Sequence, residues 1–266
     1  MLKISFNPKI SQQNLIIISA VLFCAFYNFS FFKNFIAQYG GANLLYLGVS
    51  AVILAAFIAL FFTLFSSCYT TKPLLIATFS VSSFTAYFMD NYNVVIDSEM
   101  VRNTLETNFG EACDLFSAKL LLYTVFLGIL PCFLIIKTKI VYRPIKAEIQ
   151  AKLKVGLTCA VIISVLILSF SKFYSSFFRE HKSLRYYTNP TYWIYSIANF
   201  AVKSVKLAPK EFQKIGEDAW INKASTDPKE LVVLVVGESV RADRLALNGY
   251  EKPTDPFLSK QKTSLV

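Results

Sequence analysis

Two stretches of the chain carry residue types at spacings that suit chemistry. The first is Val235-Val236-Gly237-Glu238-Ser239-Val240-Arg241-Ala242-Asp243, followed by Leu247-Asn248-Gly249-Tyr250 and Thr254-Asp255-Pro256. A carboxylate that follows a glycine at a strand end looks into a cleft and can give an oxygen to Zn²⁺ or another divalent ion. Glu238 and Ser239 equally suit the opening of a helix, where a hydroxyl cap and a negative charge are favourable. The second stretch holds Asn103, Thr107 and Glu111, which on a helix would form one polar stripe at i, i+4 and i+8. Such a stripe offers a carboxylate for a cation and neutral donors for an anion. It also reads as a solvated face, and Gly110 weakens the helix. His181 is the only histidine; a zinc site of the usual kind needs more ligands, so it reads as a polar residue at an interface. Arg241, Asp243 and Arg244 suit either phosphate neutralisation or an exposed helix face. There is no Walker sequence and no dinucleotide fingerprint.

The elements that must position these residues follow from composition. Of 266 residues, 55% are hydrophobic and only 17% charged, against roughly a quarter charged in a soluble domain. This excludes a disordered chain and argues against a simple soluble globule. Five uncharged runs, 14–32, 43–68, 73–89, 120–136 and 155–171, are transmembrane candidates. Net charge is +10, and its placement decides orientation. With the N-terminus inside, the inner segments carry Lys3, Lys9, Lys72, Lys137, Lys139, Arg143, Lys146, Lys152 and Lys154, whereas the outer loops before residue 172 hold only Lys33, Arg102 and Lys119. Everything after the fifth run then lies on the outer face. Because the basic residues track the membrane faces, nucleic-acid binding is disfavoured. The first run reads as an uncleaved anchor, since bulky Phe29 to Phe32 stand where a cleavage site needs small residues. Of the five cysteines only Cys113 falls in an exported loop, so no disulfide within the chain is expected.

Residues 1–172 are thus expected to form a five-helix transmembrane domain. Residues 173–228 are expected to hold an aromatic and basic interfacial belt, then a helix lying on the membrane surface through Trp193, Ile197, Phe200, Ala201 and Val205, then a charged linker. From 229 the character changes: Leu231 to Val236 reads as a buried parallel strand and Ser239 to Leu247 as the start of the following helix. That is the opening step of an α/β domain, which binds ligands at the carboxyl ends of its strands. Residues 229–266 are too few to close such a core, so the sequence looks like part of a longer protein.

Five spans, a basic inner loop before the fifth, and an exported domain opening with Val-Gly-Glu-Ser-Val-Arg-Ala-Asp and Leu-Asn-Gly-Tyr together resemble the lipid A phosphoethanolamine transferases, including EptA and the mobile colistin resistance enzymes. The resemblance runs over essentially the whole chain. It implies a bacterial inner-membrane protein with its N-terminus in the cytoplasm, followed by the truncated start of a periplasmic domain of the alkaline phosphatase and sulfatase fold. It further implies a zinc ion with Glu238 among its ligands, and a phosphoethanolamine site lined by Asn103, Thr107 and Glu111. The reaction so implied moves phosphoethanolamine from phosphatidylethanolamine to lipid A or lipopolysaccharide core by a ping-pong route through a zinc-activated threonine. That threonine is expected beyond Val266, so this stretch alone is expected to be inactive. Family members commonly carry Thr where this chain has Ser239. Two other classes fit parts of the pattern: a phosphoglycerol transferase of the lipoteichoic acid synthase type, which lacks the stripe, and a non-catalytic scaffold or transporter.

Overall fold

The computed structural model describes residues 8–40, 43–206, 216–218, 240–258 and 260. It divides into two compact units, Met1–Lys210 and Glu211–Val266.

The first unit is a helix bundle. Strand β1 (Lys9–Ser11) leads into α1 (Gln12–Phe26) and α2 (Phe29–Tyr39), which meet at 52°. Then come α3 (Leu44–Phe65), α4 (Thr71–Tyr92), the short α5 (Ser98–Glu106) and α6 (Phe109–Asp114), and α7 (Ala118–Tyr123). A π-turn at Thr124–Ile129 joins α7 to α8 (Leu130–Lys137); β2 (Lys139–Val141), α9 (Ile145–Ser169), α10 (Ser171–Glu180) and α11 (Thr191–Lys206) complete the unit.

Among the described residues three helices are long and apolar enough to cross a membrane: α3, the α7–α8 helix and α9; the bent pair α1–α2 makes up to four. The third expected span, 73–89, differs. Helix α4 has the length, but Ser80, Ser82, Ser83, Thr85 and Asp90 make it more polar, because these side chains bond inside the bundle rather than face outward. The run 14–32 also differs, since it is two helices. Asn28 follows the end of α1 and donates Nδ2 to the carbonyl of Phe23 (2.9 Å), which also accepts from the Tyr27 N–H (3.1 Å).

The core lies between α1, α3 and α4, where the Phe23 ring sits 4.5 Å from Phe79 and 5.6 Å from Phe62. Helix α3 packs on α9 and on α1. Gly128 in the π-turn lets that segment approach α4, since a Cβ there would lie 2.9 Å from Ser83 Oγ. Along α9 only Cys159 is buried. So long an apolar surface facing outward is what lipid, not water, stabilises.

Hydrogen bonds sort the connections to two ends. At one, Gln12 donates to Thr71 Oγ1 (2.8 Å), Gln13 to Glu148 (2.6 Å), Lys72 to the carbonyl of Ile136 (3.0 Å) and Lys152 to that of Ser66, while β1 and β2 pair in parallel. At the other, Asn34 donates to Asn93 Oδ1 (2.9 Å), and Tyr46 stacks on Phe173 with centroids 4.2 Å apart. Helix α10 folds back onto this end, burying Tyr174 and Phe177, so the aromatic belt expected there is partly bundle core. His181 closes α10 and sets its ring edge-on to Tyr39 at 4.8 Å.

Of the residues expected to place α11 on a membrane surface, Ile197, Ala201 and Val205 are exposed and Phe200 is half-buried. Trp193 is buried, and its Nε1 donates to Ser82 Oγ (3.0 Å) and Asn189 Oδ1 (3.2 Å). An indole that finds buried acceptors gains more there than at a bilayer surface. Val205, at the far end of α11, stays exposed.

In the second unit the described part of the expected helix is instead two single 3₁₀ turns, Ala242–Arg244 and Ala246–Asn248. Side chains take the backbone donors a longer helix would use: Ala246 N–H goes to Thr254 Oγ1 (3.2 Å) and Leu247 N–H to Asp255 Oδ2 (3.1 Å). Gly249 ends the second turn at φ 93°, a conformation that favours glycine. The expected strand at 231–236 lies outside the described residues.

Candidate functional site

The loop between α4 and α7 carries the stripe, and it is pinned at both ends. At its start Asn93 closes α4 in the left-handed region (φ 52°), accepts from Asn34, and receives the Tyr187 hydroxyl on its carbonyl (3.2 Å). At its close Ser117 caps α7 and shares a hydrogen bond with the Tyr87 hydroxyl (2.7 Å). Between them, Asp97 caps α5 by accepting from the N–H groups of Glu99 and Met100 (3.1 and 2.9 Å). Helix α5 packs on α11, where Lys203 reaches Ser98 Oγ at 3.4 Å.

The stripe is not continuous. Helix α5 ends at Glu106, Thr107 is extended (φ −61°, ψ 129°), and Asn108 starts α6. The break has a local cause. Asn108 accepts from Glu111 N–H (3.0 Å) while Glu111 Oε2 accepts from Asn108 N–H (3.4 Å), a capping box that starts a new helix. Asn103 and Thr107 are brought together: the Thr107 hydroxyl donates to the Asn103 carbonyl at 2.6 Å. Glu111 is tied to Asn108 and joins neither by a hydrogen bond. Asn103 and Glu111 are exposed and Thr107 half-buried.

This geometry assigns distinct abilities to the three side chains. Asn103 keeps an amide with donors and an acceptor to offer. Thr107 has spent its only proton and must leave the Asn103 carbonyl before it can donate to an anion. Glu111 has one oxygen in the capping box and, among the described residues, no hydrogen bond to the other.

Sequence reading missed Asp90. Ser30 gives it both its N–H (3.0 Å) and its hydroxyl (2.6 Å), and Tyr123 gives its hydroxyl to the other oxygen (3.1 Å). A carboxylate in the last turn of α4 opposes that helix's dipole, a signal that it must serve another element. Here it satisfies the start of α2. Also missed were Asn28 and Asn189, fully buried and paired reciprocally: Asn28 Nδ2 donates to the Asn189 carbonyl (2.7 Å), and Asn189 N–H donates to Asn28 Oδ1 (2.8 Å). Asn189 Nδ2 reaches on to Thr85 Oγ1 (2.9 Å) and the carbonyl of Ser82 (3.2 Å). This network fixes the entry to α11, and α11 in turn backs α5.

Glu238 lies outside the described residues. Among the described residues no group of three His, Cys, Asp or Glu side chains could hold a metal ion. They do not form a zinc site by themselves.

Comparison with known proteins places these residues in context. The family model described as phosphoethanolamine transferase EptA/EptB matches residues 54–205. Phosphatidylethanolamine transferase Mcr-1 of Escherichia coli is 35% identical over 260 residues, covering 96% of this chain and 48% of that relative. Phosphoethanolamine transferase EptA of Escherichia coli strain K12 is 29% identical over 265 residues, covering 94% and 48%. The chain therefore spans about half the length of the curated relatives it matches. Among solved structures, the integral membrane protein lipooligosaccharide phosphoethanolamine transferase A (EptA) from Neisseria meningitidis superposes with a TM-score of 0.86 at 25% identity, over 95% of this chain and 47% of that one.

Proposed function

The chain belongs to the phosphoethanolamine transferase EptA/EptB family, and from that premise we propose that it is the membrane part of an enzyme that moves phosphoethanolamine from phosphatidylethanolamine to lipid A or nearby lipopolysaccharide core. The observation that carries this reading is the family match over 54–205, which runs from the middle of α3 into α11 and takes in the whole loop of Asn103, Thr107 and Glu111. Five crossings, with the N-terminus in the cytoplasm and the loop in the periplasm, belong to the same reading. The alternation of the helix connections between two ends and the basic residues at one of them support it.

In this reading Glu111 meets the donor's ammonium and Asn103 its phosphate, and Thr107 adds a second donor once it releases the Asn103 carbonyl. In the same reading residues 229–266 open the catalytic domain, and none of them is assigned as the nucleophile. Zinc is a further element of the proposal, with Glu238 as one ligand. Its support is the Val-Gly-Glu-Ser-Val-Arg-Ala-Asp motif.

The test is expression of the full-length protein in a Gram-negative strain lacking other phosphoethanolamine transferases, with lipid A read by mass spectrometry. Addition of phosphoethanolamine is expected, and its loss with Glu238→Ala. Unmodified lipid A with a well-folded, membrane-inserted protein overturns the reading, and transfer of phosphoglycerol instead would assign the chain to the other lipid-headgroup chemistry.

A further inference from the structure

The end of the bundle remote from Asn103 and Glu111 carries a set of cations that, among the described residues, form no ion pair. Strands β1 and β2 are parallel and in register, pairing Lys9 with Lys139, Ile10 with Ile140 and Ser11 with Val141. Residues in register on adjacent strands project to the same face, so the two lysines rise side by side on neighbouring strands, roughly 5 Å apart at the backbone. Like charges placed so are unfavourable unless something neutralises them.

Both lysines are exposed, and among the described residues neither forms an ion pair. The nearby acid is engaged elsewhere: Glu148 accepts from Gln13 Nε2 (2.6 Å) and from the backbone N–H of Arg143 (3.2 Å). Lys72 and Lys152 are spent on the carbonyls of Ile136 and Ser66. Arg143 and Lys146 follow β2 and are exposed as well. Immediately before β2, α8 ends with Phe133 and Ile136 exposed, 51% and 58%, beside Lys137. A ligand for this place needs a negative head at the height of the strands and an apolar body that lies along α8.

We propose that Lys9 and Lys139 form a two-point site for the phosphate of an anionic phospholipid at the inner membrane surface, its acyl chains lying on the exposed face of α8. The site is distinct in place and in charge from the donor site, since phosphatidylethanolamine is zwitterionic. Its occupant holds the N-terminal strand to the loop after α8 by bridging two lysines that otherwise repel.

The test uses full-length protein in mild detergent, titrated with phosphatidylglycerol and, separately, with phosphatidylcholine, and read by native mass spectrometry. Lys9→Gln/Lys139→Gln should weaken phosphatidylglycerol retention roughly thirtyfold, the size expected of two lysines at an anionic surface, and leave phosphatidylcholine adducts unchanged. Lys33→Gln/Lys172→Gln removes the same charge from exposed positions at the opposite end and should change retention little. Equal loss in both variants would reduce the effect to net charge and overturn the site, as would unchanged retention in the first. Displacement of the lipid by millimolar inorganic phosphate would overturn the assignment to a lipid. Circular dichroism checks that both variants keep the bundle.

Discussion

Asp90 accepts both the backbone N–H and the hydroxyl of Ser30 through one carboxylate oxygen, so a residue at the end of α4 caps the start of α2, 60 positions earlier in the chain. With Tyr123 on its other oxygen, the same carboxylate ties α7 to both helices. The loop of Asn103 and Glu111 begins and ends within this clamp.

Replacing Asp90 by Asn keeps the size and one acceptor but removes the charge at the α2 N-terminus. The expected cost is about 1 to 2 kcal/mol of stability, read as a lowered thermal midpoint in detergent. Ser30→Ala should cost less, because the backbone N–H still reaches the carboxylate. A wild-type midpoint for Asp90→Asn would show that the clamp carries no energy.

The Asn28–Asn189 pair makes a sharper claim. Asn28→Ala strands the Asn189 carbonyl and N–H in a buried place, while the Phe23 carbonyl keeps the Tyr27 N–H, at an expected cost of about 3 kcal/mol. Asn189→Ala removes the bonds to Ser82, Thr85 and Trp193 but leaves both backbone bonds to Asn28. Since the two residues share one network, their double mutant should lose less than the sum of the singles, by roughly 1 kcal/mol or more. Strict additivity would mean the two side chains act independently.

Glu111→Gln separates donor binding from helix capping. Gln still serves a capping box, so the loop should fold normally, while loss of the charge should lower kcat/KM for phosphatidylethanolamine about ten to a hundredfold in the full-length enzyme. Glu106→Gln, in the last turn of α5, is the control and should be nearly silent. Transfer rate against donor concentration at equal membrane levels decides; equal rates for wild type and Glu111→Gln would remove Glu111 from the donor site.

Orientation is tested with a reporter active only outside the cytoplasm. Fused after Thr107 or Lys229 it should work, and after Lys146 it should fail. Activity at Lys146 would invert the arrangement of the ends.

What the sequence by itself determined was what depends on local composition and on the sum of charges. Long apolar runs must be helices where backbone groups cannot reach water, so 43–68, 120–136 and 155–171 were legible, and the motif around Glu238 was legible as a family resemblance. The runs at 14–32 and 73–89 were only half legible. Whether a polar residue in a helix is a fault or a bond depends on partners far along the chain, and Asn28, Ser82 and Asp90 find theirs at Asn189, Trp193 and Ser30. The stripe shows the same limit at short range. Its i, i+4, i+8 spacing presumes one helix, and only the folded loop revealed that Asn108 and Glu111 close a capping box and start another. Tertiary structure decided these points because a hydrogen bond is worth little in water and much once its groups are buried, so burial, which no local pattern encodes, chooses which polar residues build the fold.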